Sequence, residues 1–301
     1  MRKIEKKTVV SVKLLLKSKL SGYLKAKVMF CWSHVFQTSN VYLSQNQMFH
    51  IHPKPTTNKI TVDGEITKRG KIEMKVIASW SGGKDSCYAY YLAKQEGHEV
   101  IGLLTMMMNE AKSNFHMIPA GILDAQAEAL GIPLMKQKAT PETYENDFKA
   151  ALLKLKAKGA EGLVTGDIYE VAGHEEGWLG RVLNEVGLMP IKPLWMGDTK
   201  LIYQYYLKAG FKATVVRTNL SKLGVEWLGR TLDQKFYDDI IKLPGIDPCG
   251  EGGEYHTVIT DGPLMSKKIE ILEMAKHKLD GGFGYLEIKK FEVKPKGKVK
   301  P

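Results

Sequence analysis

The stretch Met74-Lys75-Val76-Ile77-Ala78-Ser79-Trp80-Ser81-Gly82-Gly83-Lys84-Asp85-Ser86-Cys87-Tyr88-Ala89-Tyr90-Tyr91-Leu92-Ala93-Lys94-Gln95-Glu96-Gly97 decides the fold. Val76, Ile77 and Ala78 form the short apolar run of a buried parallel strand. Ser86 to Glu96 reads as a helix with an apolar side through Cys87, Tyr90, Tyr91 and Leu92, stopped by Gly97. Between them lies a Gly-Gly turn flanked by hydroxyls. Gly82 and Gly83 let backbone amides turn toward an anion without Cβ obstruction. The amides that open the helix add their positive dipole end, and Ser81 and Ser86 add hydroxyl donors. Lys84 can add a cation, and Asp85 can hold a Mg²⁺ that bridges phosphate oxygens. Lys84 and Asp85 are expected at a solvent-facing turn. The spacing differs from the Walker loop, which needs four residues between its glycines and then Gly-Lys-Ser/Thr.

Working outward, strands and helices alternate. Val100 to Met106 reads as a second buried strand, and Ala120 to Leu130 as a helix stopped by Gly131. A short strand follows at Ile132 to Met135. Thr140-Pro141-Glu142 carries a cap and then proline at the first helical position, so a helix is expected there. Its apolar face is Tyr144, Phe148, Ala151, Leu152 and Leu155. Gly162 to Gly166 is a further strand, ending in Asp167-Ile168-Tyr169. The alternation predicts an α/β fold, a doubly wound parallel sheet of Rossmann type, with a smaller α+β segment at the C-terminal end. Ligands in such sheets lie beyond the carboxyl ends of the strands. Gly166 and Asp167 sit at such an end and join the candidate nucleotide-binding residues. Asp167 is a second candidate Mg²⁺ ligand beside Asp85, its other reading being the cap of the next helix. His116, in the loop after the second strand, alone reads as a surface or packing histidine rather than a catalyst. Met106 to Met108 reads as strand end and core wall. His174, Glu175 and Glu176 read as the polar first turn of a helix running through Trp178 to Val186.

Residues 193–245 look like a second set of elements, with a helix near Thr199 to Ala209, a strand at Ala213 to Arg217 and a helix at Asp233 to Lys242. Then comes Asp247-Pro248-Cys249-Gly250-Glu251-Gly252-Gly253-Glu254-Tyr255-His256-Thr257 and a strand through Val258 to Thr260. Three glycines interleaved with two glutamates, a tyrosine, a histidine and a threonine are unusual for a turn, although a glycine-rich hairpin with surface charges is the bland reading. Glu251 and Glu254 can bind a cationic group or accept protons from an amine. Cys249 reads as structural.

The Ser81–Ser86 loop resembles the SGGxDS pyrophosphate loop of the ATP pyrophosphatases, which cleave ATP between its α and β phosphates. Taken in order, that loop, Thr165-Gly166-Asp167-Ile168, Trp227-Leu228-Gly229-Arg230 and Glu251-Gly252-Gly253-Glu254-Tyr255-His256-Thr257 are similar to the diphthine–ammonia ligase family. The resemblance covers about 74–273. It implies ATP with Mg²⁺, ammonium as the nitrogen donor, and translation elongation factor 2 as the protein substrate, whose diphthine carboxylate becomes the amide of diphthamide through an acyl-adenylate. It implies catalytic roles for Lys84, Asp85, Glu251 and Glu254, and substrate contacts from His116, Tyr255, His256 and Thr257. The family commonly has an acidic residue before the threonine, where this chain has His256. A related ATP pyrophosphatase acting on another carboxylate, for example a cobalamin-related one, and a non-catalytic nucleotide-binding protein stay open as alternatives.

The charge balance of the 301 residues, +11 in all, is uneven. Residues 1–73 hold 14 Lys and Arg against 4 Asp and Glu, and 289–301 hold 6 against 1. The interior, with 24 against 28, is mildly acidic. A nucleic-acid binder carries its basic footprint on the folded domain, so nucleic acid is not expected as a partner. No uncharged apolar stretch reaches the roughly 18 residues of a membrane span. The three cysteines lie too far apart for a disulfide scaffold or a cysteine zinc module, and a reducing cytoplasm is the default. A homodimer is left open. The expected organisation is a basic extension over 1–73 with no sustained helix or strand period, a nucleotide domain over 74–192, a substrate domain over 193–288 and a basic tail over 289–301. We favour a translation start at Met74, behind codons for Arg69-Gly70 that can be purine-rich, over a genuine basic arm or a transit peptide.

Overall fold

Val76, Ile77 and Ala78 are fully buried, and they point alternately into two different cores. This follows from the two-residue period of a strand whose faces are both covered. The computed structural model describes residues 73–113, 116–170, 175 and 177–296, together with the backbone of the strands between 13 and 68. The chain divides into two compact units, Met1–Gly70 and Lys71–Pro301.

In the first unit, β1 (Lys13–Leu20), β2 (Tyr23–Trp32) and β3 (Val35–Ser44) form one antiparallel sheet. A second sheet comprises β4 (Phe49–His50), β5 (Lys59–Val62) and β6 (Glu65–Lys68). The sequence was expected to show no sustained period here. The alternation Leu24-Lys25-Ala26-Lys27-Val28 is a short strand signal, and pairing with neighbours along the chain extends it.

The second unit opens with β7 (Lys75–Ser79), α1 (Lys84–Gln95), β8 (Glu99–Met107), α2 (Ala120–Leu130), β9 (Leu134–Lys138), α3 (Tyr144–Lys156), β10 (Gly162–Val164), α4 (Trp178–Val186) and β11 (Met189–Ile191). The five strands are all parallel, in the order β11-β10-β7-β8-β9. The chain leaves β7 toward β8 on one side and returns to β10 on the other, so the crevice lies at the carboxyl ends of β7 and β10. On one face Ile77, Leu104 and Leu163 meet Phe148, Leu152, Val182 and Leu183 of α3 and α4. On the other, Val76, Leu103 and Val164 meet α1 and α2, with Val215, Val258, Ile259 and Leu286 in the same core.

Those last residues come from an antiparallel sheet. After α5 (Thr199–Lys208), the chain forms β12 (Lys212–Asn219), α6 (Gln234–Ile240), β13 (Tyr255–Asp261), β14 (Lys267–Leu279) and β15 (Phe283–Pro295), with sheet order β13-β12-β15-β14. The expected α/β class with an added C-terminal α+β segment is thus what the chain adopts. The C-terminal elements share a core with the parallel sheet rather than owning one.

Several boundaries differ from expectation. Residues 289–295 are not tail: β15 runs to Pro295, and Lys294 pairs with Glu270 of β14 at 2.8 Å. Cross-strand ion pairs let a lysine-rich stretch stay in a sheet. α3 starts at Tyr144 behind Thr143, because Thr140 to Thr143 close a turn of their own. α4 is entered from Gly177 in the left-handed region, so Glu175 lies ahead of its first turn; it pairs instead with Arg181. The expected contributions of His174 and Glu176 lie outside the described residues. Asp167 is no helix cap, since α4 begins only at Trp178. Of the three methionines, Met106 and Met107 are buried and Met108 is exposed. Among the described residues no helix is long and apolar enough to cross a membrane.

Candidate nucleotide and acceptor site

The loop after β7 is built from its own hydroxyls and from two other elements. Ser81 Oγ lies 3.0 Å from Ser86 Oγ and accepts from the Gly83 amide at 3.2 Å. Ser86 Oγ donates to the Gly83 carbonyl at 3.1 Å. Gly82 has φ +78°, which a side chain rarely adopts. Gly166, at the end of β10, lies so close to α1 that a Cβ there would sit 2.5 Å from the Asp85 carbonyl carbon. Glycine at 166 therefore lets the two crossover ends meet at the crevice.

The glycine-rich segment lies against this loop. The Lys84 amide donates to Thr257 Oγ1 at 3.1 Å, and the Ile259 amide donates to the Gly82 carbonyl at 2.9 Å. A cavity of about 640 Å³ is lined by Ser81, Lys84, Asp85, Ser86, Gly166 and Asp167 on one side and by Glu251, Tyr255, His256, Thr257 and His116 on the other. Tyr144, Phe148, Trp178, Leu104 and Met106 make an apolar wall in the same cavity. Phe148 stacks on Trp178 with ring centres 5.8 Å apart.

Lys84 and Asp85 are not the solvent-facing pair expected. Lys84 is 6% exposed, and its ammonium pairs with Asp85 at 2.6 Å while lying 5.5 Å from the centre of the Tyr255 ring. Burial works to lower the Lys84 pKa, but the Asp85 carboxylate beside it, with Glu251, holds it above the usual amine range. Burial raises Asp85 against the pull of Lys84. It also raises Asp167, opposed by the charge of Lys192. Glu251 is pushed up to about 7, first by burial; Lys84 pulls it down, and Asp85, Asp247 and Asp167 push it further up. The cavity thus gathers more carboxylates than cations. Among the described residues, no group of three or more His, Cys, Asp or Glu side chains forms a metal-binding cluster.

Glu254 lies elsewhere. It is 2% exposed, its Oε1 accepts from Lys222 at 3.2 Å, and it lines a neighbouring cleft of about 550 Å³ rather than the loop cavity. That cleft shares Tyr169, Glu251 and Gly252 with the cavity. Tyr255 contributes its ring, because its hydroxyl is tied to the Pro248 carbonyl. Cys249 is buried, and its thiol meets the Thr199 carbonyl at 3.2 Å, as a structural residue would.

His116 and His256, far apart in sequence, meet with ring centres 4.7 Å apart. His116 Nδ1 lies 3.3 Å from the Thr257 carbonyl; only a protonated nitrogen can bond a carbonyl, so Nε2 is left as an acceptor. Burial is the main reason that His116 falls to about 4, with Lys84 and Arg217 adding to it and the Thr257 contact opposing. Burial and the neighbouring His116 keep His256 neutral as well.

Sequence reasoning missed Asp247 and Gln126. Asp247 Oδ1 accepts from the Cys249 amide at 2.7 Å, and its Oδ2 from the Thr199 hydroxyl at 2.7 Å, which anchors the base of the glycine-rich segment. Gln126 joins the loop to β13. The available signal for it was a polar residue on the apolar side of α2, in register with Ile122 and Ala129.

The fold and cavity define an α/β protein with a glycine-rich strand–helix loop at its topological switch point, and with an acidic segment from an antiparallel sheet lining the same crevice. Residues 74–190 match the diphthamide synthase N-terminal domain family and residues 198–293 the diphthamide synthase C-terminal domain family. The chain belongs to the diphthamide synthase family. Its relatives include diphthine–ammonia ligases of Mus musculus, 27% identical over 74% of this chain and 94% of the relative, and of Bos taurus, 26% identical over 76% and 95%. A tRNA-specific 2-thiouridylase of Francisella tularensis is 37% identical over 28% of this chain and 24% of its own length.

Proposed function

We propose that this chain is an ATP-dependent ligase that amidates the diphthine carboxylate of elongation factor 2 with ammonium, giving diphthamide, AMP and pyrophosphate in the cytoplasm. The observation that carries the reading is the convergence of the Ser81–Ser86 loop and Glu251 on one cavity at the switch point. The loop amides and Lys84 hold the pyrophosphate part of ATP, and the Tyr144–Phe148–Trp178 wall suits its base. Asp85 and Asp167 suit a Mg²⁺ bound by one or two carboxylates and completed by phosphate oxygens, a donor set of oxygens alone. When bound, that ion neutralises charge on the phosphates.

The acceptor carboxylate attacks the α-phosphorus, the bond to the bridging oxygen breaks, and pyrophosphate leaves. Lys84 and the loop amides face the charge that develops, where each preorganised donor is worth ~3 kcal/mol. Ammonia then attacks the acyl carbon, AMP departs, and a base takes the proton from the new amide nitrogen. Glu251 is that base: it lines the loop cavity, and a pKa near 7 matches proton transfer at neutral pH. Glu254, paired with Lys222 beyond the cavity, positions the segment.

The test is incubation of the protein with Mg-ATP, ammonium and an elongation factor 2 that bears diphthine, followed by mass spectrometry of the factor. The expected result is conversion of acid to amide, about 1 Da lighter, with equimolar AMP. AMP without that change points to another acceptor.

A further inference from the structure

We infer that Gln126 is a positioning residue of the phosphate loop, which sets the direction of the Gly83 amide by holding the Gly82 carbonyl on the far side of the same peptide. This rests on the reading of Ser81–Ser86 as the site for ATP phosphates.

A glutamine with no exposed surface in the middle of a helix needs a reason. An unpaired buried amide costs ~1–3 kcal/mol, so its partners have to compensate. Gln126 Oε1 accepts from Trp80 Nε1 at 2.9 Å, and its amide nitrogen donates to the Gly82 carbonyl at 3.0 Å and to the Ile259 carbonyl at 2.9 Å. The indole can only donate and the carbonyls can only accept, so the orientation of the amide group is unambiguous. Gln126 thereby bridges the residue before the loop, the loop itself and β13.

A trans peptide is planar, with its carbonyl and N–H on opposite sides. Pinning the Gly82 oxygen toward α2 and β13 therefore turns the Gly83 N–H the other way, to the side of Ser81, which lines the cavity. Because both residues are glycine, the peptide between them can flip at little steric cost. A flip would break the bond from the Gly83 amide to Ser81 Oγ, a cavity-lining hydroxyl, and leave the Ile259 amide without its acceptor. Two donors on one carbonyl, Gln126 and the Ile259 amide, oppose it. The freedom that glycine gives the loop is thus removed from outside it.

The test uses the full chain and three variants. Gln126→Met keeps the length and apolar bulk but donates to neither carbonyl. It is expected to weaken Mg-ATP binding by roughly tenfold in calorimetry, with KM for ATP rising more than kcat falls. Trp80→Phe removes the donor to Oε1 together with some buried ring volume but keeps both carbonyl contacts of Gln126, so ATP affinity should fall less than in Gln126→Met. Gln126→Glu places a carboxylate against two carbonyls; relative to the parent at each pH, its affinity should improve as pH falls, because the protonated acid regains one donor. This variant also reads the inference if Gln126→Met does not fold. A readout free of nucleotide is the amide resonance of Gly83 in glycine-labelled protein, which should move and exchange faster in Gln126→Met. A Gly83 resonance unchanged from the parent overturns the inference, as does an ATP Kd within about twofold of it. If the parent binds no ATP, the nucleotide reading fails, and the Gly83 resonance alone decides the role of Gln126.

Discussion

At the scale of single residues, the proposed chemistry rests on the ion pair of Lys84 and Asp85 and on the carboxylate of Glu251. Asp85→Asn removes the partner of a buried ammonium as well as a candidate Mg²⁺ ligand. AMP formation is expected to fall by at least roughly a hundredfold, and a loss of stability should accompany it, because the charge of Lys84 is left uncompensated. Quantified AMP and a thermal melt check both parts. Glu251 gives a pH prediction. A base works deprotonated, so kcat/KM for amide formation should rise as pH passes about 7 from below, and Glu251→Gln should abolish that limb. The stability effect has the opposite slope. The folded chain holds a proton that the unfolded chain, with a Glu near 4.5, has released, so Glu251 disfavours folding progressively as pH rises from about 4.5 to 7. Denaturation midpoints of the parent and Glu251→Gln over that window should converge at the acid end. These roles were only half legible. The Gly-Gly loop announces itself because few side chains permit its geometry, whereas the burial of Lys84 depends on Tyr255 and Thr257, which arrive from another sheet.

At the scale of elements, the site depends on the close approach of α1 to the end of β10. Gly166→Ala would put a methyl carbon 2.5 Å from the Asp85 carbonyl carbon. Backbone cannot yield there as a flexible side chain would, so a destabilisation of about 1–3 kcal/mol is expected, along with a raised KM for ATP. Urea denaturation and steady-state kinetics test the pair of effects together, and an unchanged KM would mean that α1 does not need this approach. The helix α5 is better anticipated by local sequence. Asp198 caps it by accepting from the Lys200 and Leu201 amides, and the structure starts it at Thr199 as the sequence predicts. The long pair β14 and β15 was missed, since its alternation is broken by charged residues that pair across the strands.

At the scale of the whole molecule, the first unit and the second are separable along the chain. The match to the diphthamide synthase N-terminal domain family begins at residue 74. A protein beginning at Met74 is therefore expected to unfold cooperatively and to bind ATP with the affinity of the full chain. A broadened melt, or a clear loss of ATP affinity by calorimetry, would show that 1–73 contribute to the fold or the site. Inside the second unit no such cut is expected to succeed. The core that covers one face of the parallel sheet takes Val215, Val258 and Ile259 from beyond residue 192, so separating the two halves would expose it.

The α/β class, the position of the glycine-rich loop and the candidate residues on both sides of the cavity were all legible in the sequence. These are local properties: a strand with two buried faces needs an apolar run, a helix needs a stop, and a tight anion loop needs glycine. Which of the candidates lie together came from the tertiary packing. It joined Glu251 to the loop and moved Glu254 into the next cleft, brought His116 against His256, and made Gln126 the link between two sheets. Each of these depends on a hydrogen bond or a burial between residues far apart in the chain. Such a contact is set by how the two sheets pack, and no period or spacing in the sequence encodes it.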